Sequence, residues 1–132
     1  MAKTLLVIDD DRDIREVAKT SLELVGGFTV IVAESGQRGV AAAQEVKPDA
    51  IILDLMMPDM DGQETLAQLK RSSQTTDIPV IMLTAKVQAR KEELVSKGAA
   101  GDLVKPFDPM KLPSQVCEIL KWNLSTGDAG ST

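Results

Sequence analysis

Four carboxylates, one hydroxyl and one ammonium stand directly behind apolar runs of the chain, at places where they could do chemistry together. Residues 5–8, Leu-Leu-Val-Ile, lead into Asp9, Asp10 and Asp11, and residues 50–53, Ala-Ile-Ile-Leu, lead into Asp54. Residues 80–83 lead into Thr84, and the short run 103–104 leads into Lys105. Burial of the apolar segments does not require a polar residue at each of these ends. One of the three consecutive aspartates is wanted as a helix cap, because a carboxylate there accepts a hydrogen bond from an unpaired backbone N–H. A cap takes one carboxylate, not three. Taken singly, Thr84 reads as an ordinary strand-end hydroxyl, Lys105 as a solvated lysine and Asp54 as a turn or cap residue. Taken together those separate readings lose force.

Crowded carboxylates resist ionising together, so a compensating cation is expected if Asp9 and Asp10 face Asp54. The ligands on offer are oxygens, which suit a hard cation. Mg2+ fits best, since it accepts a few carboxylates and keeps coordination positions for water and a phosphate oxygen. Asp9, Asp10 and Asp54 carry three negative charges, and Mg2+ with Lys105 carries three positive ones. A phosphoryl group would therefore enter a neutral, oxygen-binding pocket. Phosphoryl transfer depends mainly on positioning and charge stabilisation, so a carboxylate nucleophile beside a metal, an ammonium and a hydroxyl is a sufficient set of parts.

Composition removes most other chemistries. The 132 residues include no His and no Tyr, and the aromatic residues are Phe28, Phe107 and Trp122. Ser-His-Asp and Cys-His catalysis, His-ligated zinc and aromatic platforms for nucleic-acid bases are thereby excluded. A net charge of -5 has the wrong sign for a phosphate backbone or an anionic membrane surface, so neither nucleic acid nor membrane is an expected partner. Cys117, the single cysteine, has no internal partner and sits among Val116, Ile119 and Leu120, which reads as a small buried hydrophobe in a reducing compartment. The first residues carry no signal-peptide layout, and no apolar run approaches the roughly 18 residues of a membrane span. A cytoplasmic setting is expected.

The elements that must position these groups are strands of five apolar runs, 5–8, 29–33, 50–53, 80–83 and a weaker 103–104, separated by helical patterns. Ile14, Val17, Ala18, Ser21, Leu22 and Val25 share one helical face, which Gly26 and Gly27 end. Ser35 caps a second, Ala-rich helix that ends at Pro48, and a third helix follows Asp61 and Gly62 and buries Leu66 and Leu69. The fourth, 86–97, is mostly charged and should pack most weakly. For the fifth, Asp108 is the expected cap with Pro109 at the first helical position, although Pro113 should leave the first turn irregular or itself begin the regular helix. Continuous apolar strands alternating with helices predict an α/β fold, a doubly wound parallel sheet of five strands buried on both faces. Ligands of such sheets bind beyond the carboxyl ends of the strands, where Asp9, Asp54, Thr84 and Lys105 all stand.

The string 5–11 ending in Asp9, Asp10 and Asp11, then 51–62 with Asp54, Pro58 and Gly62, then Thr84 and Ala85, then Lys105, Pro106 and Phe107, resembles the receiver domain of two-component response regulators. The resemblance covers about residues 3–124. It implies a flavodoxin-like (βα)5 sheet in the order 2-1-3-4-5, with residues 1–124 as the receiver domain and 125–132 as a flexible tail or linker stump. By the same resemblance Asp54 is the phosphoacceptor, charged by the phosphohistidine of a sensor histidine kinase or a histidine phosphotransfer protein. Asp9 and Asp10 match the acidic pair that binds Mg2+, Asp10 directly and Asp9 through water, with the Met56 backbone carbonyl as a further ligand. Thr84 and Lys105 match the hydroxyl and the lysine that engage the phosphoryl group, small Ala85 leaves room for it, and the Lys105–Pro106 bond is expected to be cis. Such a domain catalyses only its own phosphorylation and dephosphorylation, and passes the event to an effector protein or an output domain. One position departs from the pattern: the aromatic residue three places before the lysine is replaced by Asp102, so switching through threonine and aromatic is not expected. Output is instead expected to run through movement of the weakly packed helix 86–97 and the adjoining strand edge.

A haloacid-dehalogenase-like phosphatase is the alternative, with Asp9 as nucleophile and Asp11 as the second aspartate. It leaves Asp54 without a role, and no later strand ends in the further acidic pair such enzymes carry. A nucleotide-binding module of the same fold fails because the first strand leads into acidic residues and not into a Gly-rich turn.

Overall fold

The computed structural model describes residues 2–57, 61–85 and 98–122. Five strands, β1 (Thr4–Ile8), β2 (Thr29–Ala33), β3 (Ala50–Asp54), β4 (Val80–Ala85) and β5 (Gly101–Lys105), form one sheet in the order β2-β1-β3-β4-β5, all pairs parallel. Helices α1 (Arg12–Thr20), α2 (Gly36–Val46), α3 (Gly62–Arg71) and α4 (Leu112–Leu120) cover it. Alternation along each strand splits the apolar residues between two layers. Leu6, Ile8, Ile51, Leu53 and Met82 pack with Ala43 of α2 and with Leu66 and Leu69 of α3. Leu5, Val7, Ile52, Ile81 and Leu83 pack with Ala18 of α1 and with Leu112 and Val116 of α4. Each such side chain contributes roughly 1.5–3 kcal/mol by leaving water, which makes the central strands the rigid frame of the domain.

The expected strands are all present, and the fifth is longer than its apolar core because Gly101 and Asp102 pair with Ile81 and Met82. The second and third helices begin at the expected caps: Ser35 Oγ accepts the Arg38 N–H at 3.1 Å, and Asp61 Oδ1 accepts the Glu64 N–H at 2.8 Å. Two helices differ from expectation. The first is not α-helical throughout, since Ser21–Val25 form a π-helical turn. Ser21 is buried there and its hydroxyl donates to the Pro109 carbonyl. The single apolar face read from the sequence is split accordingly: Ala18, Ser21 and Leu22 are buried, whereas Val17 and Val25 are 42% and 43% exposed, on a cleft shared with Leu24 and Met110.

The last helix begins at Leu112 and not at Pro109. Asp108 caps a separate turn instead, its Oδ1 accepting the Met110 N–H at 2.9 Å and its carbonyl accepting from Lys111 and Leu112. Pro113 lacks an N–H and fits only the first turn of a regular helix, so it sets the start at Leu112. The Lys105–Pro106 bond is cis. The helical pattern expected over 86–97 and the tail expected over 125–132 lie outside the described residues.

Two contacts close the lower and outer margins of the sheet. Lys19 Nζ donates to the Val30 carbonyl of the edge strand β2 at 3.2 Å and pairs with Glu23 at 2.9 Å, a charge that blunts the open edge. Below the sheet Trp122, after α4, lies 6.0 Å from Phe28 between ring centroids, with Lys3 Nζ 4.7 Å over its ring.

Candidate functional site

The three consecutive aspartates divide their tasks. Asp11 is the cap of α1, its Oδ1 accepting from the Asp13 and Ile14 N–H groups at 2.9 and 3.4 Å. That leaves Asp9 and Asp10 for the cleft above the strand ends. Asp9 is fully buried, with its N–H on the Ala33 carbonyl and its Oδ1 accepting the Asp11 N–H at 2.9 Å. Its Oδ2 is buried without a well-aligned hydrogen bond, and Lys105 Nζ stands 3.2 Å away as the counter-charge. Asp10 is exposed at the rim.

Asp54 is the last residue of β3 and is buried. Its Oδ1 lies 3.1 Å from Lys105 Nζ and, at a long 3.4 Å, accepts the Met56 N–H. One carboxylate oxygen from each of Asp9, Asp10 and Asp54 falls within a 4.8 Å cluster. Burial first, and then the neighbouring Asp9 charge, push the Asp54 carboxyl above its ordinary value, against the opposing pull of Lys105 and the Met56 N–H. Burial would lower the Lys105 ammonium, but its hydrogen bond to Asp54 and the two carboxylate charges outweigh that and hold it above its ordinary value. Lys105 thus stays charged while Asp54 is reluctant to be. This is the electrostatic state of a site short of positive charge.

The arrangement fits a hard divalent cation: the donors are oxygens, three carboxylates converge, and one buried carboxylate oxygen lacks an aligned partner. Thr84 is buried within β4, and its Oγ1 makes one long contact, 3.5 Å, to the Leu103 carbonyl. Ala85 follows it as the last residue of that strand. Met56 is 59% exposed two residues past Asp54, whereas Met57 is buried. Asp102 is half-buried opposite Met82, which puts it on the sheet face that also carries Thr84. The structure therefore brings Asp9, Asp10, Asp54 and Lys105 into one cluster, and sets Thr84 and Asp102 on neighbouring strands.

Two residues of the site were not assigned a role from the sequence. Gly62 is one: its N–H donates to the Leu55 carbonyl at 2.8 Å, and a Cβ there would lie 2.4 Å from the Asp54 carbonyl oxygen and 2.5 Å from the Leu55 Cα. Its pairing with the cap Asp61 marks a helix start, and nothing in that signal reveals the contact with β3. Arg15 is the other: its Nη1 donates to the Asp9 carbonyl at 2.9 Å. In the sequence it is indistinguishable from Arg12, a neighbour on the same helix that pairs with Glu16 in solvent.

The family model of the response regulator receiver domain matches residues 5–117. The chain is 38% identical over 122 residues to the phosphate regulon transcriptional regulatory protein PhoB of Pseudomonas aeruginosa, covering 92% of this chain and 53% of that protein. It is 40% identical over 118 residues to the DNA-binding dual master transcriptional regulator RpaA of Synechocystis, covering 89% of this chain and 48% of that one. The chain thus spans about half the length of these curated relatives. The structure of the chemotaxis response regulator CheY4 of Vibrio cholerae matches with a TM-score of 0.82 at 33% identity, over 90% of this chain and 99% of that one.

Proposed function

Because the chain belongs to the response regulator receiver domain family, we propose that Asp54 is its phosphoacceptor, taking a phosphoryl group from the phosphohistidine of a sensor histidine kinase or a histidine phosphotransfer protein. The observation that carries this reading is Lys105 Nζ standing 3.1 Å from Asp54 and 3.2 Å from Asp9 at the mouth of the sheet. In the reaction a carboxylate oxygen of Asp54 bonds to phosphorus as the phosphorus–nitrogen bond breaks. The electron pair leaves with the donor imidazole, which takes up a proton from solvent. Lys105 neutralises Asp54 beforehand and pairs with a phosphoryl oxygen afterwards. The Thr84 hydroxyl, held by one long contact, turns to donate to another.

Receiver domains bind Mg2+ generally; here Asp9, Asp10, Asp54 and the Met56 backbone carbonyl would hold it, and when bound it supplies charge that neutralises phosphoryl oxygens. The domain acts as a phosphoacceptor and turns over no substrate beyond its own aspartyl phosphate. The phosphorylated domain passes the event to an effector protein or an output domain. Its net charge of -5 opposes direct contact with DNA. No helix among the described residues is long and apolar enough to cross a membrane, and a cytoplasmic receiver unit over 1–124 belongs to this reading. The phosphatase alternative finds no support, since the family match is to receivers.

Incubation with Mg2+ and a small phosphodonor, followed by intact mass, tests the assignment. One phosphoryl group is expected on the wild type and none on Asp54→Asn. An adduct that persists in Asp54→Asn, or phosphate release from small esters that survives Asp54→Asn and is lost in Asp9→Asn, would overturn it.

A further inference from the structure

We propose that Arg15 is a positioning residue for the cation site, closing the turn that carries Asp9 and Asp10 into a fixed ring. The inference rests on the reading that Asp9, Asp10 and Asp54 hold a divalent cation. The turn is pinned on the strand side by the Asp9 N–H on the Ala33 carbonyl and by the Asp11 N–H on Asp9 Oδ1. On the helix side the Arg15 N–H donates to the Asp11 carbonyl at 3.0 Å, the first α-helical bond of α1. The Arg15 side chain then folds back, and its Nη1 donates to the Asp9 carbonyl at 2.9 Å. Asp10 stands in the middle of the ring so formed. Its carboxylate is exposed, and no hydrogen bond to it is made among the described residues. Its aim toward Asp9 and Asp54 therefore depends on the backbone of the turn, and Arg15 holds that backbone from the outside.

Charge and position act in opposite directions here, which makes the role testable by sign. A guanidinium beside the site repels a divalent cation, so removing its charge alone tightens binding. Removing a clamp that orients a ligand weakens it, by about tenfold or more for outer-shell partners of metal ligands. Arg12 supplies the comparison: the same charge on the same helix, with its side chain paired in solvent with Glu16 at 3.2 Å.

Calorimetric titration of the whole chain with MgCl2 is the experiment, with Asp10→Asn establishing that the heat belongs to this site. Arg15→Met is expected to bind Mg2+ about tenfold more weakly, Arg15→Lys, which reaches the carbonyl with one donor, to recover most of that loss, and Arg12→Met to bind as tightly as the wild type or slightly more so. If Arg15→Met does not fold, Arg15→Gln, whose shorter head falls short of the carbonyl, takes its place. Binding by the Arg15 variants equal to or tighter than wild type, or equal weakening in Arg12→Met, would overturn the proposal while leaving the cation site standing. A wild type that takes up no Mg2+, or an unchanged titration in Asp10→Asn, would overturn the site and the proposal together.

Discussion

Lys105→Met is expected to lose about 3 kcal/mol of stability in metal-free buffer near neutral pH, the low end of the cost of stripping a buried charge of its partner. Methionine keeps the length and apolar stem of the side chain, so packing changes little and the effect isolates the ammonium. Removing that ammonium leaves Asp9, fully buried, and Asp54, buried within the same 4.8 Å cluster, facing each other without the cation that stands 3.2 and 3.1 Å from them. The cost stays at the low end because the lysine side chain is 25% exposed and because Asp54 can escape by taking a proton.

The pH dependence follows from the two shifts. Asp54 has a folded value raised above its ordinary 3.8, so the folded state binds the extra proton, and stability falls as pH rises from 3.8 through the raised value. Lys105 is raised above its ordinary 10.5, so its contribution is complete below 10.5 and is lost as pH rises through the higher folded value. In Lys105→Met the acid slope should extend to higher pH, since the ammonium no longer holds the Asp54 carboxyl down, and the alkaline loss should vanish. Urea unfolding monitored by circular dichroism across pH checks both slopes. Equal stability of variant and wild type at neutral pH would show that the carboxylates do not need this cation. Millimolar MgCl2 should restore part of the loss.

Gly62→Ala is expected to cost about 2 kcal/mol although it places the best helix former in a helix. Alanine gains up to about 1 kcal/mol over glycine in a helix interior, while overpacking costs about 1–3 kcal/mol. The geometry decides between them. The new Cβ would lie 2.4 Å from the Asp54 carbonyl oxygen and 2.5 Å from the Leu55 Cα, and both are backbone atoms of the segment that carries Asp54, not the ends of flexible side chains. The start of α3 must withdraw or the end of β3 must move. Because the Gly62 N–H is held on the Leu55 carbonyl at 2.8 Å, the end of β3 moves with the helix start and shifts Asp54 relative to Lys105, so the rate of phosphorylation by a small donor should fall together with the urea midpoint. A more stable Gly62→Ala would mean that α3 retreats freely and that the contact does not position Asp54.

Much of the fold and most of the site were legible in the sequence for one reason. A parallel sheet buried on both faces needs continuous apolar strands, and their sharp ends make a following Asp, Thr or Lys conspicuous. Asp9, Asp54, Thr84 and Lys105 stood out in this way, and the structure places all of them at the strand ends. The features that were not legible are settled by contacts between distant parts of the chain. The hydroxyl that joins Ser21 to the Pro109 carbonyl spans 88 residues, and the π-helical turn and the exposed Val17 and Val25 accompany it. The late start of α4 was half legible, because Pro113 announces an irregular first turn but does not say that Asp108 will cap a turn of its own. Arg15 was invisible for the opposite reason: a charged residue on an exposed helix looks the same whether its head lies in solvent or on a carbonyl.

The packing of Trp122 against Phe28 and Lys3 has a consequence for observing this protein by light. Lys3 precedes β1 and Asp9 follows it, so the length of a five-residue strand, roughly 17 Å, separates the indole from the acidic pocket. With no tyrosine in the chain, ultraviolet-excited emission comes from this one tryptophan. Its spectrum therefore reports the burial of the lower margin and is insulated from events at the strand ends. A red shift in emission marks global unfolding, and the same cuvette can carry metal or phosphodonor without their chemistry colouring the signal.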